Sequence, residues 1–183
     1  QQGIGLVWRL ARGGTPMYGR KLSGAEVRAR IDNCWRPYHA ALDTLMDERH
    51  RAFGAVWHVN CHSMPAVGDA LADDPGRERA DFVLGDRDGT TCGPAMTALV
   101  AGVARVLGYT VAINDPYKGV ELVRNACRPQ EGRHSLQIEL KRTLYMDEET
   151  LVPNKGYARL QRDLMTIAWE LARHVRKQTG RAT

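Results

Sequence analysis

The sequence has no apolar run of membrane-spanning length, no signal-peptide pattern and no Cys-x-x-Cys pair among its 183 residues. The first two absences argue against a transmembrane or secreted chain, so the expectation is a soluble, cytoplasmic protein with no membrane partner. The four cysteines, Cys34, Cys61, Cys92 and Cys127, are too widely spread for a cysteine-based zinc site. With no secretory signal, and with length enough to bury a core, reduced thiols are expected, and Cys61 is expected to pack inside. No internal repeat, low-complexity tract or interdomain linker is present, so residues 1–183 read as one domain. An aromatic-interleaved basic stripe is missing too. The formal net charge is +5, yet residues 52–154 carry 10 basic against 14 acidic side chains, and the basic excess lies in flanks predicted to be helical. That distribution fits solvated helix faces and argues against nucleic acid as a partner. The basic helices leave room for an oligomer without specifying one.

What is present is an alternation of helical and strand patterns. Ser23 followed by Glu26 fits a capping box. The helix it starts is predicted to run to about Trp35, break near Pro37 and resume to about Arg51, giving a hairpin-like pair. Ile31, Trp35, Tyr38, Leu42 and Leu45 form an apolar stripe expected to pack in the core. A strand is predicted over Phe53–His62, then a polar excursion, a short apolar segment at Phe82–Leu84 and a helix from about Pro94 to Leu107. Tyr109–Asn114 and His134–Lys141 read as further strands, and Asn154 as the cap of a last helix ending near Lys177. Helices between strands predict an α/β fold with a mixed, mostly parallel sheet flanked by helices, its polar loops collected on one edge.

Two strand ends carry the candidate chemistry. Alternation along Phe53–His62 puts His58, Asn60 and His62 on one side and Val59 and Cys61 on the other, with His62 at the carboxyl end, where open α/β sheets bind ligands. A neutral imidazole there can hold a metal or move a proton; the alternative is a ring satisfied by a neighbouring carbonyl. In the last strand Leu136, Ile138 and Leu140 face one way and Gln137, Glu139 and Lys141 the other. Glu139 is thus a carboxylate in a strand-forming apolar context, costly to bury unless paired or used. An ion pair with Lys141 or Arg142, or a simply exposed strand face, are the alternatives.

The residues then fall into four ordered blocks. They are His62-Ser63-Met64-Pro65, Asp81-Phe82-Val83-Leu84-Gly85-Asp86-Arg87-Asp88-Gly89 and Asn114-Asp115-Pro116-Tyr117-Lys118-Gly119. The last is Ser135-Leu136-Gln137-Ile138-Glu139-Leu140-Lys141-Arg142 with Leu144-Tyr145-Met146 behind it. Together, from about Gly13 to Val175, the chain resembles the N-formylglutamate amidohydrolase family. The resemblance implies a zinc-carboxypeptidase-like (phosphorylase/hydrolase-like) α/β fold. It implies metal-dependent hydrolysis of the N-formyl or a similar N-acyl amide of N-formylglutamate, to formate and glutamate, in histidine degradation. It makes His62 a metal ligand and Glu139 the general base that deprotonates a metal-bound water and later protonates the leaving amine. A divalent metal, zinc before cobalt or iron, is the implied cofactor, and a small N-acyl amino acid the partner. Arg87, Asn114, Lys118 and Arg142 are candidates for substrate binding, with Arg124 a weaker one, since Arg grips carboxylates bidentately and Lys as a point charge. Tyr117 either closes over the substrate or packs against the sheet.

One departure stands out. A hydrolytic zinc site needs three protein ligands, and the upstream His-x-x-Glu segment usual in this fold occurs nowhere in the sequence. Asn60 also stands where the family often has Asp, which bears on how His62 is oriented. The start at Gln1 aligns with the family's interior, so about the amino-terminal third of the domain is expected to be absent and the metal site incomplete. The alternative function is an inactive homologue or fragment that acts as a dicarboxylate-binding or structural module.

Overall fold

In the computed structural model, which describes residues 5–11 and 14–180, one helical run leads into a four-stranded mixed sheet. Gly13, the predicted start of the family resemblance, lies outside the described residues. Ser23 and Glu26 close the expected capping box: the Glu26 N–H donates to Ser23 Oγ and the Ser23 N–H to Glu26 Oε2. Helix α1 (Gly24–Arg30) then continues through a π-helical turn (Ile31–Trp35) into α2 (Arg36–Phe53). The predicted break at Pro37 does not occur. The Arg36 N–H reaches back to Ile31 O, one residue further than an α-helix would, and the widened turn accommodates the proline ring and its missing donor. The predicted hairpin is therefore one helical run, and its apolar stripe is core only in part: Leu42 packs beside the buried Met46 of α2 and Ile31 is half-buried, while Trp35, Tyr38 and Leu45 are exposed.

Phe53 ends α2, with Gly54 in the left-handed conformation behind it, so the first strand starts later and runs further than predicted, as β1 (Val56–Met64). The other elements are β2 (Phe82–Gly85), α3 (Pro94–Val106), β3 (Val111–Ile113), α4 (Glu121–Ala126), β4 (Arg133–Lys141) and α5 (Tyr157–Gln178). Asn154 does not cap α5 directly; its Oδ1 accepts the Gly156 N–H in the turn before the helix. The strand order is β1-β4-β2-β3, with β1/β4 and β2/β3 parallel and β2/β4 antiparallel.

Each face has its own cover. Phe82, Leu84, Leu136 and Ile138 pack with Met96, Val100 and Ala104 of α3 and Leu160 and Ile167 of α5 in the main core. On the opposite face Val56 meets Met46 of α2 and Ala126 of α4. These two helices cover that face at the amino ends of β1 and β4 and leave it open at the carboxyl ends. Cys61 is exposed rather than in the core, because β1 is an edge strand; all four thiols are free.

The antiparallel pairing corrects one expectation. The carboxyl ends of β2 and β3 point away from those of β1 and β4, so the polar loops do not gather on one edge. Instead the loop after β3 returns across the open face. A Cβ on Gly85 would lie 2.6 Å from Gly119 N, so a glycine at the end of β2 is what allows that close crossing. The loop after β1 is pinned by a buried pair. Arg79 Nη2 and Nε bind the two Asp74 oxygens at 2.6 and 2.9 Å, with side chains only 1% and 5% exposed, while Arg79 also donates to Pro65 O and lies over the Tyr117 ring.

Removing one member of that pair strands the other charge. Asp74→Ala is expected to cost about 3 to 5 kcal/mol of stability, read from the shift in denaturant midpoint. The Arg79 hydrogen bonds hold the Asp74 carboxyl below the ordinary carboxylate range. Their contribution is therefore complete above the unfolded-state value and disappears as pH falls through the folded one. The gap between wild type and Asp74→Ala should accordingly narrow in acid.

Candidate active site

Parallel pairing places His62 directly opposite Glu139, on the open face where α2 and α4 no longer cover the sheet. His62 Nδ1 and Glu139 Oε1 are 3.6 Å apart, slightly too far for a hydrogen bond. The Glu139 residue is 6% exposed, and Gln137, two residues back on the same face, donates from Nε2 to its Oε1 at 2.9 Å. Burial pushes the Glu139 carboxyl up to about 7, against the opposing pull of the Gln137 hydrogen bond and the positive charges of Arg142 and Arg79. Burial also lowers the pKa of His62, although 40% of its side chain remains accessible. Both groups are thus favoured in their neutral forms, and the contact is not a fixed ion pair. A carboxyl group titrating near neutrality can both take and return a proton.

Glu139 and Gln137 form the floor of a cavity of about 760 Å3. Its walls include Pro65 and Asp74 from the loop after β1, Tyr117 and Lys118 from the loop after β3, and Arg142 beyond β4. Arg142 donates from Nε and Nη2 to Ser63 Oγ and O, and its Nη1 makes no hydrogen bond among the described residues. It is therefore oriented and still has donors for a carboxylate. Lys118 sits at the rim, paired with Asp88 at 2.8 Å.

The other predicted residues stand elsewhere. Neither Arg87 nor Asn114 lines the cavity, and His62, although opposite Glu139, does not line it either. The Arg87 Nη1 donates to Gly119 O, and Asn114 Nδ2 donates to Asp86 Oδ1 at 2.7 Å, so both brace the returning loop from behind. Arg124 pairs with Glu121 on the surface. Lys141, offered as a partner for Glu139, pairs with Asp81 at 2.9 Å instead. Tyr117 lies under the Arg79 guanidinium while still bordering the cavity, so it both packs and faces the site.

Three contributors escaped the sequence reading. Gln137 was readable as a neighbour of Glu139 on one strand face, but not as its donor. Arg79 gave no signal beyond the acidic residues Asp73, Asp74 and Glu78 just upstream. Asp86 is a buried hub that accepts the Gly89 N–H, the Thr97 hydroxyl and the Asn114 amide. Burial alone would raise its pKa, and those hydrogen bonds outweigh that and carry it down.

Among the described residues no three His, Cys, Asp or Glu side chains come together as a metal site. His62 has the chemistry and accessibility of one ligand, but a three-ligand zinc site is not completed here. No described helix is long and apolar enough to cross a membrane.

Comparison with known proteins bears on the family and the fold. The N-formylglutamate amidohydrolase family profile matches residues 1–146. N-formylglutamate deformylases of Pseudomonas putida and Pseudomonas aeruginosa are 31% and 32% identical over 138 and 139 residues, 74% of this chain and 51% of theirs. The chain thus spans about half the length of the curated relatives it matches. A crystal structure of N-formylglutamate amidohydrolase from Ralstonia eutropha JMP134 superposes with a TM-score of 0.87 at 49% identity, covering 97% of this chain and 64% of that one. A gene product of Agrobacterium tumefaciens, at 21% identity and a TM-score of 0.67, shares the fold. Matched over most of its length by the family profile, the chain belongs to the N-formylglutamate amidohydrolase family.

Proposed function

We propose that the protein to which these residues belong hydrolyses the N-formyl amide of N-formylglutamate, releasing formate and glutamate in histidine breakdown, on a zinc-carboxypeptidase-like fold. The observation that carries this reading is the buried Glu139 carboxyl, titrating near 7 on the floor of a cavity with the oriented guanidinium of Arg142 on its wall. Glu139 takes a proton from the attacking water and returns it to the departing nitrogen as the C–N bond breaks. Arg142 holds a substrate carboxylate through its unused donors, and Lys118 adds positive charge at the rim. Arg87 and Asn114 act on the substrate indirectly, by holding the loop that carries Lys118. His62 would provide one ligand to a divalent metal, zinc in the first instance, and the remaining ligands would come from parts of the family domain that this chain does not span. Such a metal, when bound, supplies Lewis acidity toward the amide carbonyl. Among the described residues the donor set is incomplete, which for this chain by itself favours a dicarboxylate-binding module without turnover.

In a protein of full family length, Glu139→Gln is expected to lower kcat on N-formylglutamate by roughly 10² to 10⁴ with little change in KM. Unchanged turnover would sink the proton-transfer assignment. Arg142→Ala should instead act on binding, raising KM roughly 10- to 100-fold, the worth of hydrogen bonds to a charged group. Arg142→Lys should restore only part of it, because an ammonium does not reproduce the guanidinium fork. Elemental analysis after dialysis separates the two readings of the metal. The 183-residue chain should retain well under one equivalent, and the longer protein about one, lost in His62→Ala.

A further inference from the structure

The cavity over Glu139 is charged along part of its lining and apolar along the rest. Trp8, Leu10, Leu71 and Pro116 line it. So does Val120, whose N–H donates to Gln137 Oε1 at 2.9 Å and which therefore stands at the edge of the floor. Trp8 is 56% exposed, Leu71 47% and Val120 41%. One exposed apolar side chain is ordinary on a protein surface, but three large ones around a single cavity mark a place where something apolar binds.

Separate segments bring them there. Trp8 and Leu10 enter a turn closed on itself, in which the Met17 N–H donates to Arg9 O and the Ala11 N–H to Thr15 O. Gly14 in that turn lies against Leu71, whose Cδ1 would be 3.8 Å from a Cβ at that position. The turn and the loop after β1 thus form one apolar wall, and Val120 comes to the same cavity on the loop after β3.

The cations of the lining are divided unequally. Arg79 spends Nε and Nη2 on Asp74 and Nη1 on Pro65 O, and Lys118 is paired with Asp88. Arg142 is the residue with a donor to spare, so it seats one carboxylate. Asp69, also on the lining, disfavours a second one nearby. The rest of a ligand held at Arg142 therefore meets an indole and aliphatic side chains. A cavity of about 760 Å3 is of the size that houses drug-sized ligands, so a formylated glutamate leaves much of it unfilled.

We propose that Trp8, Leu71 and Val120 form an apolar subsite beside Glu139, through which this site takes N-acyl amino acids that carry an aromatic or large aliphatic group as well as N-formylglutamate. That group belongs either to the amino acid side chain or to the acyl chain; both present the same apolar surface to the wall. The inference rests on the amide-hydrolase reading for the carboxylate at Arg142 and the amide at Glu139.

The test is an NMR titration of the 183-residue chain with N-formylglycine, N-formyl-L-phenylalanine and N-benzoylglycine. Each has one carboxylate, and they differ in the presence and position of an apolar group. Four tryptophans are present, and the indole N–H signal lost in Trp8→Ala assigns Trp8. At least one aromatic ligand should shift that signal and bind roughly tenfold more tightly than N-formylglycine, the worth of one ring moved out of water. Which of the two does so identifies the source of the apolar group. Trp8→Ala and Leu71→Ala should each reduce the preference roughly three- to tenfold. Both side chains are about half exposed, so neither truncation empties the core. Arg142→Ala should weaken all three ligands. The proposal is overturned if neither aromatic ligand binds more tightly than N-formylglycine, if the Trp8 signal stays unmoved by both, or if the preference survives both truncations. Binding needs no turnover, so these outcomes stand apart from the hydrolase reading, which fails if a protein of full family length is inactive on N-formylglutamate.

Discussion

A carboxyl group taken out of water raises its own pKa unless something nearby compensates, and the candidate site is built around compensating Glu139 only in part. One hydrogen bond from Gln137 and the fields of Arg142 and Arg79 stabilise the anion, yet burial prevails and holds the group near 7. More compensation would give a permanent anion, a poor proton donor to a leaving nitrogen. Less would give a permanent acid, unable to take a proton from water. The two guanidiniums are accordingly engaged elsewhere: Arg79 is tied to Asp74 and Arg142 to Ser63. Glu139 feels their charge without pairing to either.

The same commitments shape the cavity. Arg79 holds Asp74, Pro65 O and the face of Tyr117 at once, joining the loop after β1 to the loop after β3. Asp86 and Asn114 lock the turn after β2 to the end of β3, and Arg87 donates to Gly119 just beyond. Gly85 gives the passing backbone room to lie against the sheet. The cavity is thus walled largely by loops, and each loop is fastened by a buried or half-buried polar contact. Polar fastening suits walls that also have to present charge to a substrate.

Local patterns were readable where local forces decide. The Ser23–Glu26 box, the helix from Pro94 and the strand through Glu139 all appear close to where periodicity and capping put them. Patterns failed where a distant partner decides. Trp35, Tyr38 and Leu45 have helical spacing, but spacing cannot report whether another surface lies against them. The proline at 37 would break an ordinary α-helix, and a single π-turn removes the conflict. Strand direction was likewise hidden. Nothing between residues 81 and 141 announces that β2 runs against β4, because direction follows from how connections cross the sheet.

For the site, that reversal explains which residues could be found from sequence and which could not. His62 and Glu139 were accessible because each sits on a strand whose alternation fixes its face, and the parallel register of β1 and β4 makes them neighbours. Val120 was not. Its N–H reaches Gln137 only because the loop after β3, starting at the far end of an antiparallel pair, must come back over the open face to reach α4. Arg87 and Asn114 illustrate the converse. Their polar character suggested substrate contact, but a loop crossing a sheet face carries backbone groups and turns that need satisfying, and these two side chains are spent on that. In a mixed sheet of this kind, charge on a loop therefore reads first as a fastening. The residues left to meet a ligand are those, like Arg142, whose donors outnumber the partners around them.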